Sequence, residues 1–134
     1  MEFSVVAASH MRRKFITVLM PSLIKQLNLE SSKKAVIIIV DKECPEAGST
    51  INFDPIDSYL VVIAPQSMRD IGLTLCHEME HVRQLAKGIL KPDGKGGNTW
   101  AGKKYSKKTP YLAMPWEKAA FAKQEILFRK ALES

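Results

Sequence analysis

Apolar residues recur at helical spacing over residues 12–29, as Phe15, Ile16, Leu19, Met20, Leu23, Ile24 and Leu27, and predict a first helix. Pro21 cannot donate an interior helical hydrogen bond, so a kink or a fresh helix start is expected there. Residues 28–32 gather capping and turn types that should end the helix. Ala35–Val40 is short, unbroken and β-branched, the pattern of a strand covered on both faces. Residues 50–53, 54–58 and 59–64 then read as strand, turn and strand.

Over residues 68–87 the pattern is helical again, with Ser67 as N-cap and Gly88 as the stop. At about 100° per residue, Ile71, Leu75, Met79, Val82 and Ala86 form an apolar stripe. Asp70, Thr74, His77, His81 and Gln84 form a polar stripe beside it, and Arg69, Glu80, Arg83 and Lys87 are left facing water. The polar stripe suits the floor of a cleft. Residues 89–115 form a long connection rich in glycine and lysine, a length usually either functional or disordered. Pro115 opens a last helix whose inward stripe is Glu117, Ala120, Phe121, Gln124, Phe128 and Ala131, with Ile126 and Leu127 to the sides. Three helices and a small three-stranded twisted sheet make an α+β fold, without repeats, heptads or a second domain.

Composition narrows this little. The 134 residues, 46% hydrophobic, suit one domain over residues 11–134, and no apolar run reaches the roughly 20 residues of a membrane span. Ser9-His10-Met11 resembles a cloning-site remnant, so residues 1–10 are expected to be a tag remnant or disordered, and His10 receives no role. The start lacks the basic-then-apolar order of a secretory signal, and two cysteines, Cys44 and Cys76, are too few for a disulfide framework. A reduced, cytoplasmic protein is the expectation. The net charge of +6 is most visible at Lys103, Lys104, Lys107 and Lys108, a solvated loop in the simplest reading and an anionic partner such as nucleic acid in the other.

Chemistry concentrates in His77-Glu78-x-x-His81. Histidines four apart share one helix face and can both reach one metal ion, while the intervening glutamate can reach a water on it. Zinc takes such donors, and a catalytic site keeps one position for water. A third ligand can be sought by elimination. A metzincin would place a third histidine at the position of Lys87 and a glycine at Gln84, so that class is excluded. Among acids after His81, Asp93 lies in a glycine-rich turn, Glu133 is terminal and Glu125 is off the inward stripe. Glu117 remains, heading the inward face of the last helix. Glutamate in a first turn also has a helix-dipole reason to be there, though this does not account for its inward position. Cys76 points about 100° away from His77, towards packing.

A glutamate on a later helix after His77-Glu78-x-x-His81 resembles the gluzincins, the thermolysin-like zinc metallopeptidases. The run from His77 to Gln84, Trp100-x-Gly102-x-x-Tyr105 and Pro115-Trp116-Glu117-x-x-Ala120 are similar to small zincin domains encoded by phages and prophages. Their usual tail is Pro-Trp-Glu-x-Glu-Ala, from which Ala119 departs by losing an acid not expected to be a ligand. The similarity is strongest over residues 71–128.

That resemblance implies a minimal zincin fold and a zinc endopeptidase, with Zn2+ held by His77, His81 and Glu117 and with Glu78 as general base. It implies a protein or peptide substrate in the cytoplasm of a bacterium or phage-infected host. By analogy the strand at 59–64 would be the sheet edge over the cleft, open to an extended peptide. Tyr105, ahead of Tyr111, is the candidate oxyanion donor, and each has a packing alternative. Trp100 and Trp116 are expected to pack, and Asp70 or Thr74 to orient a ligand. Two rival readings stand beside this one. A non-proteolytic zinc-bearing module would use the fold for binding, and a DNA-associated SprT-like protease would normally show a third histidine.

Overall fold

In the computed structural model, which describes residues 1–134, buried aliphatic side chains of three helices close over one face of a mixed sheet. Chain order is β1 (Phe3–Val6), α1 (His10–Gln26), β2 (Ala35–Val40), β3 (Gly48–Phe53), β4 (Ser58–Ile63), α2 (Met68–Ala86), β5 (Leu90–Pro92), β6 (Asn98–Trp100), β7 (Lys103–Tyr105) and α3 (Pro115–Glu133). The fold is α+β. No helix is long and apolar enough to cross a membrane.

The main sheet has four strands in the order β1-β2-β4-β3, parallel except for β3. The sheet expected with three strands has a fourth, β1, and two further expectations change here. Residues 1–10 are not disordered: β1 pairs along β2, and Ser9 caps α1 by accepting from the Arg12 N–H at 3.2 Å. The strand at 58–63 is interior, so the open edge over the cleft belongs to β3. β3 lies outside because β4, and not β3, pairs with β2, and strand periodicity does not encode that choice.

α1 runs unbroken through Pro21, so no second helix starts there. Pro21 and Thr17, whose carbonyl loses its helical donor, both lie on the exposed side, where water serves instead. The buried face carries Ile16, Leu19, Met20, Leu23 and Ile24. Tertiary burial holds the helix.

On α2 the cap at Ser67 and the stop at Gly88 are as expected: Ser67 Oγ accepts from Asp70 N–H at 3.2 Å, and Gly88 takes φ +72°. Ile71, Leu75, Met79 and Val82 are fully buried, each burial worth about 1.5–3 kcal/mol. Gly72 lets α3 approach, because a Cβ there would overlap the Phe128 ring, with Cζ 2.6 Å away. Cys76 packs in this core, where burial pushes its thiol up to about 12, and Cys44 is also a free thiol. Glu80 departs from the expected solvent side. Its side chain is fully buried between Arg83 of its own helix and Lys123 of α3.

Residues 89–115 hold a second sheet, antiparallel in the order β5-β6-β7. Its three-residue strands are too short to show alternation in sequence.

Candidate metal centre

His77 and His81 stand one turn apart on α2, rings edge to face with centroids 4.9 Å apart. Both Nε2 atoms converge on Glu117 Oε1, at 2.8 Å from His77 and 3.1 Å from His81. Glu117 lies in the first turn of α3, opened by Pro115, where the helix dipole favours a carboxylate. The fold therefore brings Glu117, the acid left by elimination, against both histidines.

The other ring nitrogens fix the tautomers. Gln84 Nε2 donates to Glu80 Oε2 and to the Trp116 carbonyl, both at 3.1 Å, which leaves Gln84 Oε1 facing His81 Nδ1 at 2.9 Å. An amide oxygen only accepts, so His81 donates from Nδ1. Gln124 Oε1 takes the same position 2.9 Å from His77 Nδ1. A neutral imidazole protonated at Nδ1 presents a lone pair at Nε2. Two such lone pairs then face a carboxylate oxygen, an arrangement of acceptors that requires positive charge between them.

Protons can supply that charge. Burial raises the Glu117 carboxyl, but hydrogen bonds from His77 and His81 outweigh it and hold it at about 2. Burial likewise lowers His81, and Glu117 with Gln84 reverse the sign to a net rise. A metal ion satisfies the same demand. Bonds of about 2.0–2.1 Å in a tetrahedral site put donors about 3.3 Å apart, so the Nε2–Oε1 separations of 2.8 and 3.1 Å would have to widen by up to about half an ångström. The donor atoms of His77, Glu78 and His81 also lie within 4.8 Å of one another. These residues can hold a metal ion.

Glu78 is drawn to a different partner. Its Oε1 accepts from Thr50 Oγ1 on β3 at 2.7 Å, so it stands beside the His77–His81–Glu117 cluster, held by the sheet edge. Burial raises its carboxyl above the ordinary value, against the opposing effects of Thr50 and the two imidazoles. Gly48 makes the approach of β3 feasible, since a Cβ would lie 2.7 Å from Thr74 Cγ2 and 3.0 Å from Glu78 Cγ. The resulting groove between the β3 edge and the helices comprises two adjoining hollows of about 320 and 460 Å³. They share Glu46, Gly48, His77, Glu78 and Tyr111, which places the cluster in mid-groove.

Tyr105 lies elsewhere. Its ring meets Trp116 edge-on at 5.6 Å, under the Lys103 ammonium at 5.4 Å, and does not line the groove. Tyr111, in a turn just before α3, places its hydroxyl 3.2 Å from Glu117 Oε1. Burial, with Glu117 next in effect, pushes that phenol up to about 12 and keeps it a donor. Asp70 and Thr74 line the groove, but the histidines hydrogen-bond Gln124, Gln84 and Glu117 instead. The orienting partners are Gln84 and Gln124, both on stripes visible in the sequence, whereas Thr50 had no sequence signal. His10 begins α1 and meets Arg13, and Trp116 is buried as expected. No protein-family model matches the chain, and no curated protein or solved structure matches it.

Proposed function

We propose that the protein is a zinc-dependent peptidase of the gluzincin type, holding Zn2+ through His77, His81 and Glu117. The convergence of two Nδ1-anchored imidazoles and one carboxylate oxygen carries this reading. Two imidazoles with one carboxylate suit zinc better than the all-oxygen sets of magnesium or calcium. Bound there, the ion would polarise a scissile carbonyl and acidify a water.

With an ion held there, Glu78, buried and steered by Thr50, would be the base that accepts a proton from the acidified water and returns it to the departing amide nitrogen. Tyr111 swings its hydroxyl from Glu117 to the oxygen on which negative charge develops. The substrate is an extended polypeptide. The outer side of β3 has no strand partner, and Ser49, Thr50, Ile51 and Asn52 line the groove along it. Two free thiols fit work in a reducing compartment such as the cytoplasm.

Glu78→Gln tests the assignment. Zinc content by metal analysis should stay at one equivalent, while cleavage of a susceptible protein falls about 10²–10⁴-fold, the usual contribution of a general base. Equal cleavage by both forms would remove Glu78 from the chemistry. Zinc uptake without cleavage by either form would leave a zinc-bearing binding module.

A further inference from the structure

We propose a second functional surface, away from the metal centre: a lysine track that binds the phosphate backbone of duplex nucleic acid. It begins in a groove of about 370 Å³ between the end of α1, α2 and α3, lined by Arg83, Lys87, Lys123 and Lys130. It continues over the end of α2, where the Lys91 side chain lies alongside Gly88, its Cε 3.6 Å from where a Cβ would stand. From Lys91 it crosses the outer face of the second sheet. Strand register aligns Lys91 with Thr99 and Thr99 with Lys104, so the two lysines share a face two strand spacings apart, about 10 Å. Leu90 and Trp100 take the opposite face, against the protein.

Most of the charge along this track is uncompensated, although Lys87 Nζ also donates to the Asn28 carbonyl at 2.9 Å. Residues 83–130 hold 12 lysines and arginines against three acids, so the basic excess of the whole chain is concentrated here. All three acids are engaged elsewhere. Asp93 caps its own turn through the Lys95 and Gly97 N–H groups, Glu117 is at the metal centre, and Glu125 faces Arg69. Glu80 neutralises one of its two cations, Arg83 and Lys123, from beneath. Lys87, Lys91, Lys104 and Lys130 remain exposed.

The chemistry of the track favours phosphates over an acidic protein. Exposed aromatic anchors, which dominate protein interfaces, are missing along it, as are the stacking platforms that single strands require. Evenly spread ammonium groups on a face without base-reading side chains suit a duplex bound through its backbone and without sequence preference. Arg83 and Lys87 lie on a different side of α2 from the histidines, so a bound duplex leaves the groove open.

The test is fluorescence anisotropy of the full chain with a labelled duplex of arbitrary sequence, titrated with salt. Engagement of four lysines predicts a log–log salt slope near −3.6 and an affinity loss of roughly 10²-fold between 50 and 200 mM salt. Replacing Lys87, Lys91, Lys104 and Lys130 together by Gln should abolish binding at 50 mM salt, and Lys104→Gln or Lys130→Gln alone should each reduce the slope by about 1. Neutralising Lys103, Lys107 and Lys108 instead should leave at least the track's share of the slope. Four results would overturn the proposal: no binding at 50 mM salt, tighter binding of a single strand, tighter binding of polyglutamate, or loss of binding only on neutralising Lys103, Lys107 and Lys108. The readout is independent of zinc and of cleavage.

Discussion

His77 Nδ1 reaches one amide, Gln124, which crosses from α3, whereas His81 Nδ1 reaches Gln84, a fully buried amide one turn further along its own helix. Behind Gln124 the structure continues into the groove. Behind Gln84 lies Glu80, gripped by Arg83 Nε at 2.6 Å and Nη2 at 2.9 Å and approached by Lys123 Nζ at 3.3 Å. Two histidines that are equivalent in the motif are therefore supported unequally. Behind Nδ1, a single amide with the Phe121 ring packed at 4.5 Å orients one, and a buried charged network orients the other. Such networks hold geometry tightly when complete and fail together when one member is removed.

The largest effect that would expose this asymmetry is at Glu80. Glu80→Ala leaves Arg83, Lys123 and Gln84 without their shared acceptor; Arg83 and Lys123 are partly exposed and can turn to water, so the cost is about 1–3 kcal/mol, chiefly from the buried Gln84 amide. Urea denaturation of the metal-free protein would measure it. Glu80 also carries a pH signature. Burial raises its carboxyl, but hydrogen bonds and charge from Arg83, with Lys123 and Gln84, bring it net below the ordinary value. A depressed folded value means stability that is present above the unfolded pKa of about 4.3 and is lost as pH falls through the folded one. Metal-free wild type should lose stability on acidification below about pH 4.3 more steeply than Glu80→Gln does. Parallel curves would remove the ionised carboxylate from the network's stability.

Next in size are the two glutamines, compared side by side. Gln84→Leu and Gln124→Leu each remove the acceptor that fixes a ring tautomer, and each should weaken metal binding about 10–100-fold in a competition titration with a chromophoric chelator. Stability should separate them. Gln84→Leu also strips a donor from the Trp116 carbonyl and from Glu80, so its urea midpoint should fall. Gln124→Leu should stay near wild type. Equal losses of stability in the two variants would break the contrast between the flanks.

The contrast also shows which parts of the molecule were legible. The core stripe of α2, its caps and the inward placing of Glu117 follow from helical periodicity, which reports direction around a helix over many residues. Glu80 was misplaced by the same rule, because direction alone says nothing about what packs there. Its burial depends on Lys123 arriving from α3, a tertiary fact. Gln84 and Gln124 lay on the correct stripes, yet amides have no metal-site spacing to mark them. Tyr105 and Tyr111 were distinguishable only after the second sheet had folded Tyr105 onto Trp116. β1 and the edge position of β3 depend on sheet order, which local pattern does not carry.

The smallest expected effect is at Thr50, where neither flank of the histidine pair is touched and only Glu78, the proposed base, is released. The Thr50 hydroxyl donates to Glu78 Oε1 at 2.7 Å and opposes the rise that burial imposes on that carboxyl. Thr50→Val keeps the shape of the side chain and removes the donor, so the Glu78 carboxyl should rise further. A general base must be ionised to act, so the acid limb of the kcat/KM profile should move to higher pH while activity on the alkaline side changes little. Thr50→Ser, which retains the hydroxyl, should keep the wild-type limb. Metal affinity should be unchanged in both variants, because Thr50 touches none of the three proposed ligands. A Thr50→Val profile superimposable on wild type would reduce the contact to packing between β3 and α2. A fall in metal affinity would instead show that Glu78 and the histidine–Glu117 cluster respond as one unit.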